Sequence, residues 1–443
     1  MFGFRGVRKW IYPQSVTGQW QRLRKWTFAL LHLILFATPW LTINGNPALR
    51  IDLPGRKLYA FGAIFTAADT IFLLFLLLFL AFSLFFFTSL FGRLWCDFAC
   101  PQTVFLDAWV RPVEKWIEGD WVQRRRRDEG PWTFDKAWRK AAKWGLFAAF
   151  SLVISMAFMS YFAGARALWT GEAGATSYTL VLIFAAGWFL DLAWFREQFC
   201  SYLCPYARFQ SALTDEETIL VQYDLTRGEP RGGKNAKDVG RCIECSKCVF
   251  VCPQGIDIRD GFQLECIACA RCIDACDIVM EKQGHESLIQ FSSIAEQRGR
   301  KPRALRPRTV VYGGLLTGIA AAATVLMVAR APFDAAVQRA PGTLFTQDAD
   351  GYVRNTYLLR VTNKQQVTAP IPFHVRVEGL PDAEVMVQDI KLGTTESQTV
   401  PLIIRVKSRA DLARTIPIAV HVSSPTKEVE VAATFKTGGH LAN

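Results

Sequence analysis

Five long apolar stretches divide this chain of 443 residues, and each is close to the length of a membrane-spanning helix. A helix needs about 20 apolar residues to cross the hydrocarbon core of a bilayer. The overall composition agrees, since 51% of the residues are hydrophobic and the mean hydropathy is positive. The pattern therefore predicts a membrane protein with five helical spans, at residues 26–43, 70–91, 144–162, 177–195 and 309–329.

Beyond about residue 330 the pattern changes to short runs in which apolar and polar residues alternate. Such period-two runs, separated by turn residues, indicate β-strands. They read YVRNTYLLRV, IPFHVRVEG, AEVMVQDI, VPLIIRVKS, IPIAVHVSS and VEVAATFK. Six or seven strands in about 100 residues predict a β-sandwich of immunoglobulin-like type. His374 and His421 lie on these strands, where a surface or packing role is favoured over metal binding.

Positive charge is distributed unevenly between the loops and predicts the orientation of the chain. Lysine and arginine are concentrated in the arm before the first span and in the 92–143 loop, which contains four consecutive arginines, whereas the 163–176 loop has only Arg166. Cytoplasmic loops carry such an excess, so the arm and the 92–143 loop are expected inside. The formal net charge of +12, placed beside apolar runs, favours anionic lipid headgroups over nucleic acid as partners.

Two cysteine runs lie in the loop after the fourth span, CIECSKCVFVCP and CIACARCIDACD. In two-cluster ferredoxins this spacing places three cysteines on one cluster, while the fourth ligates the other cluster. The runs therefore predict two [4Fe–4S] clusters. Paired CxxC spacings also occur in zinc ribbons, but a ribbon needs only four cysteines. The predicted ligand sets are Cys242, Cys245, Cys248 and Cys276 for one cluster, and Cys266, Cys269, Cys272 and Cys252 for the other.

Four further cysteines form a repeated CxxxCP motif, in WCDFACPQTVF after the second span and REQFCSYLCPYARF after the fourth. If each helix continues through its motif, the two cysteines share a face, and the proline breaks or restarts the helix just beyond. Such thiols suit Cu(I), reversible dithiol chemistry or a further cluster; the plain alternative is buried thiols that pack as apolar residues. The four candidates are Cys96, Cys100, Cys200 and Cys204.

These patterns divide the chain into a membrane part and two domains on opposite sides of it. Iron–sulfur clusters are assembled and kept reduced in the cytosol, which agrees with a cluster loop inside and a cysteine-free tail outside. In chain order the predicted parts are a basic cytoplasmic arm (1–25), a four-helix membrane region with the two CxxxCP motifs (26–195), a cytoplasmic ferredoxin-like domain (196–308), a fifth membrane span (309–330) and a periplasmic immunoglobulin-like domain (331–443).

Two ionisable residues lie at or near membrane depth, His32 and Asp191. Such residues are functional candidates by default. No partner for His32 is evident in the sequence, so a hydrogen-bonded structural histidine is favoured over a metal ligand. Asp191 is close to the predicted inner interface and can pair there with Arg196.

The motifs together resemble the CcoG/FixG/RdxA family, membrane-bound iron–sulfur accessory proteins of cbb3-type cytochrome oxidase. The resemblance is carried by WCDFACPQTVF, REQFCSYLCPYARFQS, YDLTRGEPRG, the cluster runs with CPQGIDIRDGFQ, and RNTYLLRVTNK. It implies reduction of Cu(II) to Cu(I) for oxidase assembly, with the eight loop cysteines as cluster ligands and the four CxxxCP cysteines as copper-handling thiols. Asp97 stands where the family pattern has glycine, and Asp277 where bacterial ferredoxins have proline.

The expected function is thus that of a metalloreductase in the bacterial inner membrane. Electrons would enter one cluster, pass to the other and reach copper held by the CxxxCP thiols. The implied partners are the bilayer, an unknown electron donor, and oxidase assembly factors or a copper-transporting P-type ATPase. Two alternatives remain open: a quinol-oxidising electron-transfer subunit of the NapH type, and a non-catalytic assembly scaffold or redox sensor that docks oxidase subunits through the exported sandwich.

Overall fold

The computed structural model describes residues 10–66, 69–233, 239–365, 367–409 and 412–437. The chain forms two compact units. One unit combines Met1–Leu41 with Phe75–Ala320, and the other combines Thr42–Leu74 with Ala321–Asn443. Each unit is therefore built from segments that are distant in sequence.

Within the described residues, four helices are long and apolar enough to cross a membrane: Thr70–Phe91, Phe134–Ala163, Ala175–Phe195 and Pro307–Ala329. They contain the second to fifth predicted spans. Phe134–Ala163 starts ten residues before its apolar part. The last turn of Ala175–Phe195, Asp191–Phe195, is a π-helix.

The first predicted span, 26–43, has different bounds in the structure. Its helix runs over Gln19–Ala37 and passes into a 3₁₀ turn at Thr38–Trp40. Pro39 lies in that turn, where its missing N–H cannot extend the helix. The helix begins early because Gln21, Arg24 and Phe28 form a buried stripe on one face. Its first turns therefore belong to the protein interior of the first unit.

Short helices surround the cysteines and the ends of the long helices. They are Leu94–Phe98, Pro101–Phe105, the π-helix Leu106–Val110, Arg111–Glu118, Trp121–Glu129, Ala165–Thr170, the π-helix Phe199–Leu203, Pro205–Leu213, Leu225–Gly228, Lys247–Phe250, the 3₁₀ turn Ile258–Asp260, Arg271–Glu281 and Ile294–Gln297. The cluster region is closed by an antiparallel pair of strands, Leu220–Tyr223 and Ile289–Ser292.

The C-terminal part is a sandwich of two antiparallel sheets, as the alternating runs predict. Its core consists of inward residues of both sheets, such as Leu359, Leu402, Val420 and Phe435, all fully buried. In spatial order the first sheet contains Glu384–Val387, Ser397–Lys407, Tyr352–Asn363 and Phe333–Arg339, with Thr346–Gln347 paired to Tyr352–Asn363. The second sheet contains Ile390–Leu392, Ile371–Glu378, Thr415–Ser423 and Glu428–Lys436.

All six predicted strand runs are confirmed, with one refinement. The run AEVMVQDI contributes Glu384–Val387 to the first sheet and Ile390–Leu392 to the second, so the chain changes sheets within it. Phe333–Arg339 is an additional strand, at the edge of the first sheet next to Tyr352–Asn363.

The loop between the first two long helices is folded rather than irregular. It forms a hairpin of Thr42–Ile43 with Asn46–Pro47 and a three-stranded sheet of Leu49–Asp52, Lys57–Ala60 and Ala63–Phe65. This segment belongs to the same unit as the sandwich, because Lys57 Nζ donates to the Thr395 carbonyl oxygen at 2.7 Å. Asp69, just after it, binds Arg330 at 2.6 Å and Lys364 at 2.9 Å.

We expect Asp69→Asn to loosen the 42–69 segment from the sandwich. Asp69 is 6% exposed, and removing one partner of a buried ion pair costs about 3–5 kcal/mol. Proteolytic cleavage within the segment should therefore become at least about 100-fold faster under conditions where reclosing is faster than cleavage. Asp52→Asn is the matched control, because within the described residues the hydrogen bond of that carboxylate is a turn contact to the Gly55 amide at 3.1 Å. Equal cleavage rates in the two variants would contradict the role of Asp69.

The stabilisation that the Asp69 carboxylate provides depends on pH. Burial raises the pKa of Asp69, but hydrogen bonds from Arg330, the Thr66 amide and Lys364 outweigh burial and lower it to about 2. The folded pKa is below the ordinary value, so the stabilisation is present above about pH 4 and is lost as the pH falls towards 2.

Candidate iron–sulfur and thiol sites

The two cysteine runs adopt the same backbone conformation. In the first run Glu244 and Ser246 have φ of 55° and 53°, and in the second run Ala268 and Ala270, at the equivalent positions, have φ of 59° and 54°. Positive φ is uncommon for residues other than glycine. When right-handed and left-handed residues alternate along a loop, the loop curls and its N–H groups converge on an anion, as in many iron–sulfur sites. The repeat is therefore structural as well as sequential.

Each run leads from its last left-handed residue into a helix. Ser246 precedes Lys247–Phe250, and Ala270 precedes Arg271–Glu281. These helices carry the third and fourth cysteines of the second run and the third of the first. The two runs thus form a pseudo-symmetric pair.

The eight cysteines line two adjacent cavities. One cavity is lined by Cys242, Cys245, Cys248 and Cys276. The other is lined by Cys252, Cys266, Cys269 and Cys272, with Cys248 in the shared wall. This is the crossed division that the spacing predicts, since the fourth cysteine of each run lies in the cavity of the other run.

The surroundings of the cysteines fit iron–sulfur clusters. The sulfur of Cys252 accepts hydrogen bonds from the amides of Gln254, Gly255 and Ile256, and Cys276 accepts them from Leu288 and Ile289. Such N–H···S bonds stabilise thiolates and tune cluster potentials. Burial raises the pKa of Cys248 to about 12 and that of Cys266 to about 11, so ligation to iron releases protons.

The two cavities differ in access to solvent. Cys245, in the first cavity, is exposed, whereas Cys269, in the second, is 8% exposed. Gln21 of the first helix donates from Nε2 to the Cys269 carbonyl oxygen at 3.1 Å. The start of the first helix therefore contacts the loop of the second cavity, whereas Cys245 in the first cavity stays accessible.

Both CxxxCP motifs contain the same helix break, which corrects the expectation of a continuous helix. Cys96 lies within Leu94–Phe98 and Cys200 within Phe199–Leu203, but the second cysteine of each motif is extended. Cys100 has φ −66° and ψ 124°, and Cys204 has φ −71° and ψ 114°. The prediction that the two cysteines of a motif share a helical face is wrong, because the residue before a proline disfavours helical φ and ψ.

The prolines of the motifs start new helices, as predicted. Pro101 begins Pro101–Phe105, and Pro205 begins Pro205–Leu213. Proline is favoured at the first helical position because its missing N–H has no partner there in any case. The amides of Gln102 and Thr103, in the first turn after Pro101, donate to the Cys100 sulfur.

The four CxxxCP thiols lie within electrostatic range of one another. Burial raises the pKa of Cys96 above its ordinary value, Arg93 lowers it, and Cys100, Cys200 and Cys204 raise it further. Burial and the neighbouring thiols also raise the pKa of Cys200 to about 12. Among the described residues, no three His, Cys, Asp or Glu side chains are grouped closely enough to hold a single metal ion.

A chain of buried ion pairs joins the first CxxxCP motif to the second cavity. Arg24 donates from Nη2 to Asp97 at 2.8 Å and to Asp107 at 2.5 Å. Arg271, next to Cys272, binds the same Asp107 at 3.0 Å. Asp97 is fully buried, and burial raises its pKa to about 6 in spite of Arg24. The residue that departs from the family pattern is thus the partner of a buried arginine.

A second contact joins the other motif to the same cavity. Ser201, between the two cysteines of that motif, donates from Oγ to Gln254 Oε1 at 3.4 Å, and Gln254 lines the second cavity. Both CxxxCP motifs therefore adjoin the more buried of the two cysteine-lined cavities.

Asp191 and Arg196 do not pair, contrary to the expectation. Asp191 accepts from Gln102 Nε2 at 3.1 Å. Arg196 instead binds both oxygens of Glu114, at 2.8 and 3.0 Å. Arg124, from the run of four arginines, also binds Glu114, at 2.6 Å. The buried carboxylate of Glu114 thus binds both Arg196 and Arg124, and Arg196 is not available to the side chain of Asp191.

The histidines have the contacts of structural residues. His32 Nδ1 lies 2.6 Å from the Phe28 carbonyl oxygen, and the ring stacks on Trp109 at a centroid distance of 5.5 Å. His421 lies between Glu378 and Glu428, at 3.4 and 3.2 Å. His374 is exposed on its strand.

Two cysteine-lined cavities in paired loops, carried by helices long enough to cross a bilayer, define a membrane-anchored iron–sulfur electron-transfer protein. Residues 195–294 match the model of a 4Fe-4S dicluster domain, and residues 72–127 match a 4Fe-4S binding domain. Residues 323–437 match the Ig-like fold at the C-terminus of FixG. Together with the relatives below, these matches show that the chain belongs to the FixG/RdxA family.

The chain is similar to its relatives over most of its length. It is 38% identical to the protein RdxA of Cereibacter sphaeroides, over 80% of this chain and 79% of that protein. It is 34% identical to the nitrogen fixation protein FixG of Rhizobium meliloti, over 86% of this chain and 81% of that protein. A solved structure of a FixG-related protein from Vibrio parahaemolyticus matches with 23% identity and a TM-score of 0.22, covering 24% of this chain and 98% of that one.

Proposed function

We propose that this protein reduces Cu(II) to Cu(I) in the bacterial inner membrane, for the assembly of cbb3-type cytochrome oxidase. Two observations carry the proposal: the four CxxxCP thiols lie within electrostatic range of one another, and both motifs adjoin the more buried cluster cavity. Thiolates are soft ligands and favour Cu(I) over Cu(II). A copper ion held by a pair of these thiols is therefore easier to reduce.

The difference in access between the cavities supports a direction for electron flow. The two [4Fe–4S] clusters, when bound, supply electrons one at a time. Exposed Cys245 makes the first cavity the side on which an external donor can dock. Cys248 lies in the wall shared with the second cavity, which adjoins the thiols. One electron per Cu(II) gives Cu(I), and no protein bond is broken.

The surroundings of the copper-binding thiols control their protonation. Burial keeps Cys96 and Cys200 protonated at neutral pH in the absence of a metal. Copper binding then displaces their protons, which makes copper affinity rise with pH. Amides of Gln102 and Thr103 stabilise the Cys100 sulfur as it becomes a thiolate.

A contact within the first unit supports a topology of five spans. The Gln14 amide donates to the Phe250 carbonyl oxygen at 2.8 Å, so the arm and the cluster domain share one side of the membrane. An even number of crossings must separate them, and three long apolar helices lie between. The apolar later turns of Gln19–Ala37, continued by the 3₁₀ turn Thr38–Trp40, supply the fourth crossing. The positive-inside rule makes this side cytoplasmic and leaves the sandwich periplasmic.

The test is a single-turnover assay on anaerobically purified, reduced protein freed of excess reductant. Cu(II) is added with a Cu(I)-specific chelator, and cluster absorbance and Cu(I) are followed together. In the unaltered protein the clusters should reoxidise as Cu(I) appears. Replacing Cys96, Cys100, Cys200 and Cys204 together by alanine should slow Cu(I) formation about 10- to 100-fold, while the iron content stays unchanged.

Leu203→Ala is the matched control, because Leu203 lies between two of the cysteines and is 52% exposed. Its rate should equal that of the unaltered protein. Clusters that stay reduced while Cu(II) is present would refute copper reduction. Reduction of the clusters by a quinol would then favour the quinol-oxidising role, and oxidase subunits that bind the quadruple variant equally well would favour the scaffold.

A further inference from the structure

We propose that a basic cavity between three helices of the 92–143 loop binds the phosphate headgroup of an anionic phospholipid. The cavity lies between Arg111–Glu118, Trp121–Glu129 and the first turns of Phe134–Ala163. Its volume is about 630 Å³, within the range of ligand sites in proteins. None of the cluster or CxxxCP cysteines lines it.

The charge of the cavity fits an anion. Four cations line it, namely Arg126, Arg127, Lys136 and Arg139, against one carboxylate, that of Glu118. Glu118 is already bound by Lys143 at 2.9 Å and by Lys140 at 3.3 Å. The acid in the lining is therefore neutralised by residues that do not line the cavity, and the cavity keeps an excess of positive charge.

Backbone carbonyl groups position three of the four cations, and two of these, Arg127 and Arg139, also share the exposed Asp135 carboxylate at 3.6 and 2.8 Å. Lys136 Nζ donates to the carbonyl oxygens of Asp128 and Gly130, at 3.0 and 2.8 Å. Arg127 donates to the Glu118 carbonyl oxygen, and Arg139 to that of Ile117 as well as to the Asp135 carboxylate. Arg126 has no ion pair within the described part of the chain. The side chains are thus held ready for an anionic ligand.

The depth of the cavity matches that of lipid phosphates. The apolar part of Phe134–Ala163 begins near Trp144, and Arg139 precedes it by five residues, or about 7.5 Å along a helix. The headgroup layer on each side of the hydrocarbon core is about 5–7.5 Å thick, so a residue about 7.5 Å from the core lies at its outer edge. If the helix crosses the bilayer as its composition indicates, Arg139 lies at headgroup level.

Exposed aromatic side chains beside the cavity favour a lipid over a free phosphate ion. Trp116, Trp132, Phe134 and Trp138 are 79%, 73%, 89% and 63% exposed. Indole rings favour the membrane interface, where one edge is apolar and the other is hydrated. A ligand that carries acyl chains can cover Trp116, which lines the cavity, and Trp138, which precedes Arg139, whereas inorganic phosphate cannot.

The run of four arginines divides into two pairs with different roles, which provides a matched control. Arg126 and Arg127 line the cavity. Arg124 binds the buried Glu114, and Arg125 binds Glu129 at 2.8 Å on the exposed surface. Arg125→Gln and Arg126→Gln therefore remove the same charge from adjacent positions of one helix, but only the second change affects the cavity.

The experiment uses the full-length, cluster-loaded protein in detergent after delipidation. Phosphatidylglycerol, phosphatidylcholine or inorganic phosphate is added, retained lipid is counted by native mass spectrometry, and apparent affinity is taken from the thermal midpoint. The unaltered protein and Arg125→Gln should retain phosphatidylglycerol in preference to phosphatidylcholine. Arg126→Gln should bind it about fivefold more weakly, with an unchanged iron content.

Three results would overturn the proposal. One is equal retention of phosphatidylcholine, and another is an equal loss of affinity in Arg125→Gln. The third is a gain in thermal midpoint with inorganic phosphate that phosphatidylglycerol does not exceed, because this would make the cavity a site for a free anion. Copper reduction is not needed for any of these measurements, so the lipid site and the proposed function can fail separately.

Discussion

Replacing Cys272 by alanine should remove one cluster and leave the other, so that the iron content falls from about eight to about four atoms per chain. Cys272 lines only the second cavity, whereas Cys245 lines only the first. Cys245→Ala should therefore give the same iron content but retain the other cluster. Iron and sulfide analysis measures the loss, and electron paramagnetic resonance of the reduced protein distinguishes which cluster remains.

The crossed ligand assignment makes a sharper version of this prediction. Cys252 belongs to the first run in sequence but lines the second cavity, with Cys272. Cys252→Ala should therefore give the spectrum of Cys272→Ala, and Cys276→Ala that of Cys245→Ala. The opposite grouping would mean that each run holds its own cluster. Cys200→Ala is the control and should keep all the iron; if it loses a cluster, the CxxxCP thiols are cluster ligands.

Replacing Arg24 by methionine should strongly destabilise the first unit. Arg24 is 2% exposed and binds Asp97 and Asp107. Asp107 keeps Arg111 and Arg271 as partners, so the charge left without a bound cation is that of Asp97. A buried ion that loses its partner costs about 3–5 kcal/mol, and the thermal midpoint of the detergent-solubilised protein should fall by more than about 5 °C.

Two further variants separate the lost ion pair from a simple loss of packing. Arg22→Met, two residues earlier on the exposed side of the same helix, should change the free energy of unfolding by less than about 0.5 kcal/mol. Adding Asp97→Asn to Arg24→Met removes the uncompensated carboxylate and should restore most of the midpoint. A double variant no more stable than Arg24→Met would refute the ion pair as the source of the effect.

The parts of the fold that could be predicted are those with a local pattern. A membrane span is marked by the length of one continuous apolar segment, so the sequence places four of the spans within the observed long helices. Period-two alternation located the strands of the sandwich, and cysteine spacing divided the ligands between two cavities. In each case the residues that interact are neighbours in sequence or repeat at a fixed interval.

The buried ion pairs could not be predicted because no local pattern marks them. Arg24 meets Asp97 across 73 positions and Asp107 across 83. Arg196 meets Glu114 across 82. A charged residue that pairs at such a distance resembles a surface residue in the sequence. The polar first turns of Gln19–Ala37 were therefore assigned to a solvated arm, although two of their residues are buried.

The helix break in the CxxxCP motifs could have been inferred from the sequence. The second cysteine always precedes a proline, and a residue in that position disfavours the helical conformation. The four-residue spacing of the cysteines indicates a shared helical face only if the helix continues up to the proline, which it does not. The folded segment between the first two long helices was missed for another reason: its strands are two to four residues long, too short for alternation to be distinguished from a loop.

The contact of the first helix with the cluster loop also has a consequence for the order of synthesis. Gln21 and the carbonyl group that it binds are separated by 248 positions, and a ribosome adding about 5–20 residues per second makes the second about 12–50 s after the first. The N-terminal segment therefore emerges long before its binding surface exists. The second cysteine loop lacks this contact until the segment docks, which leaves an interval in which iron and sulfide can be delivered to it.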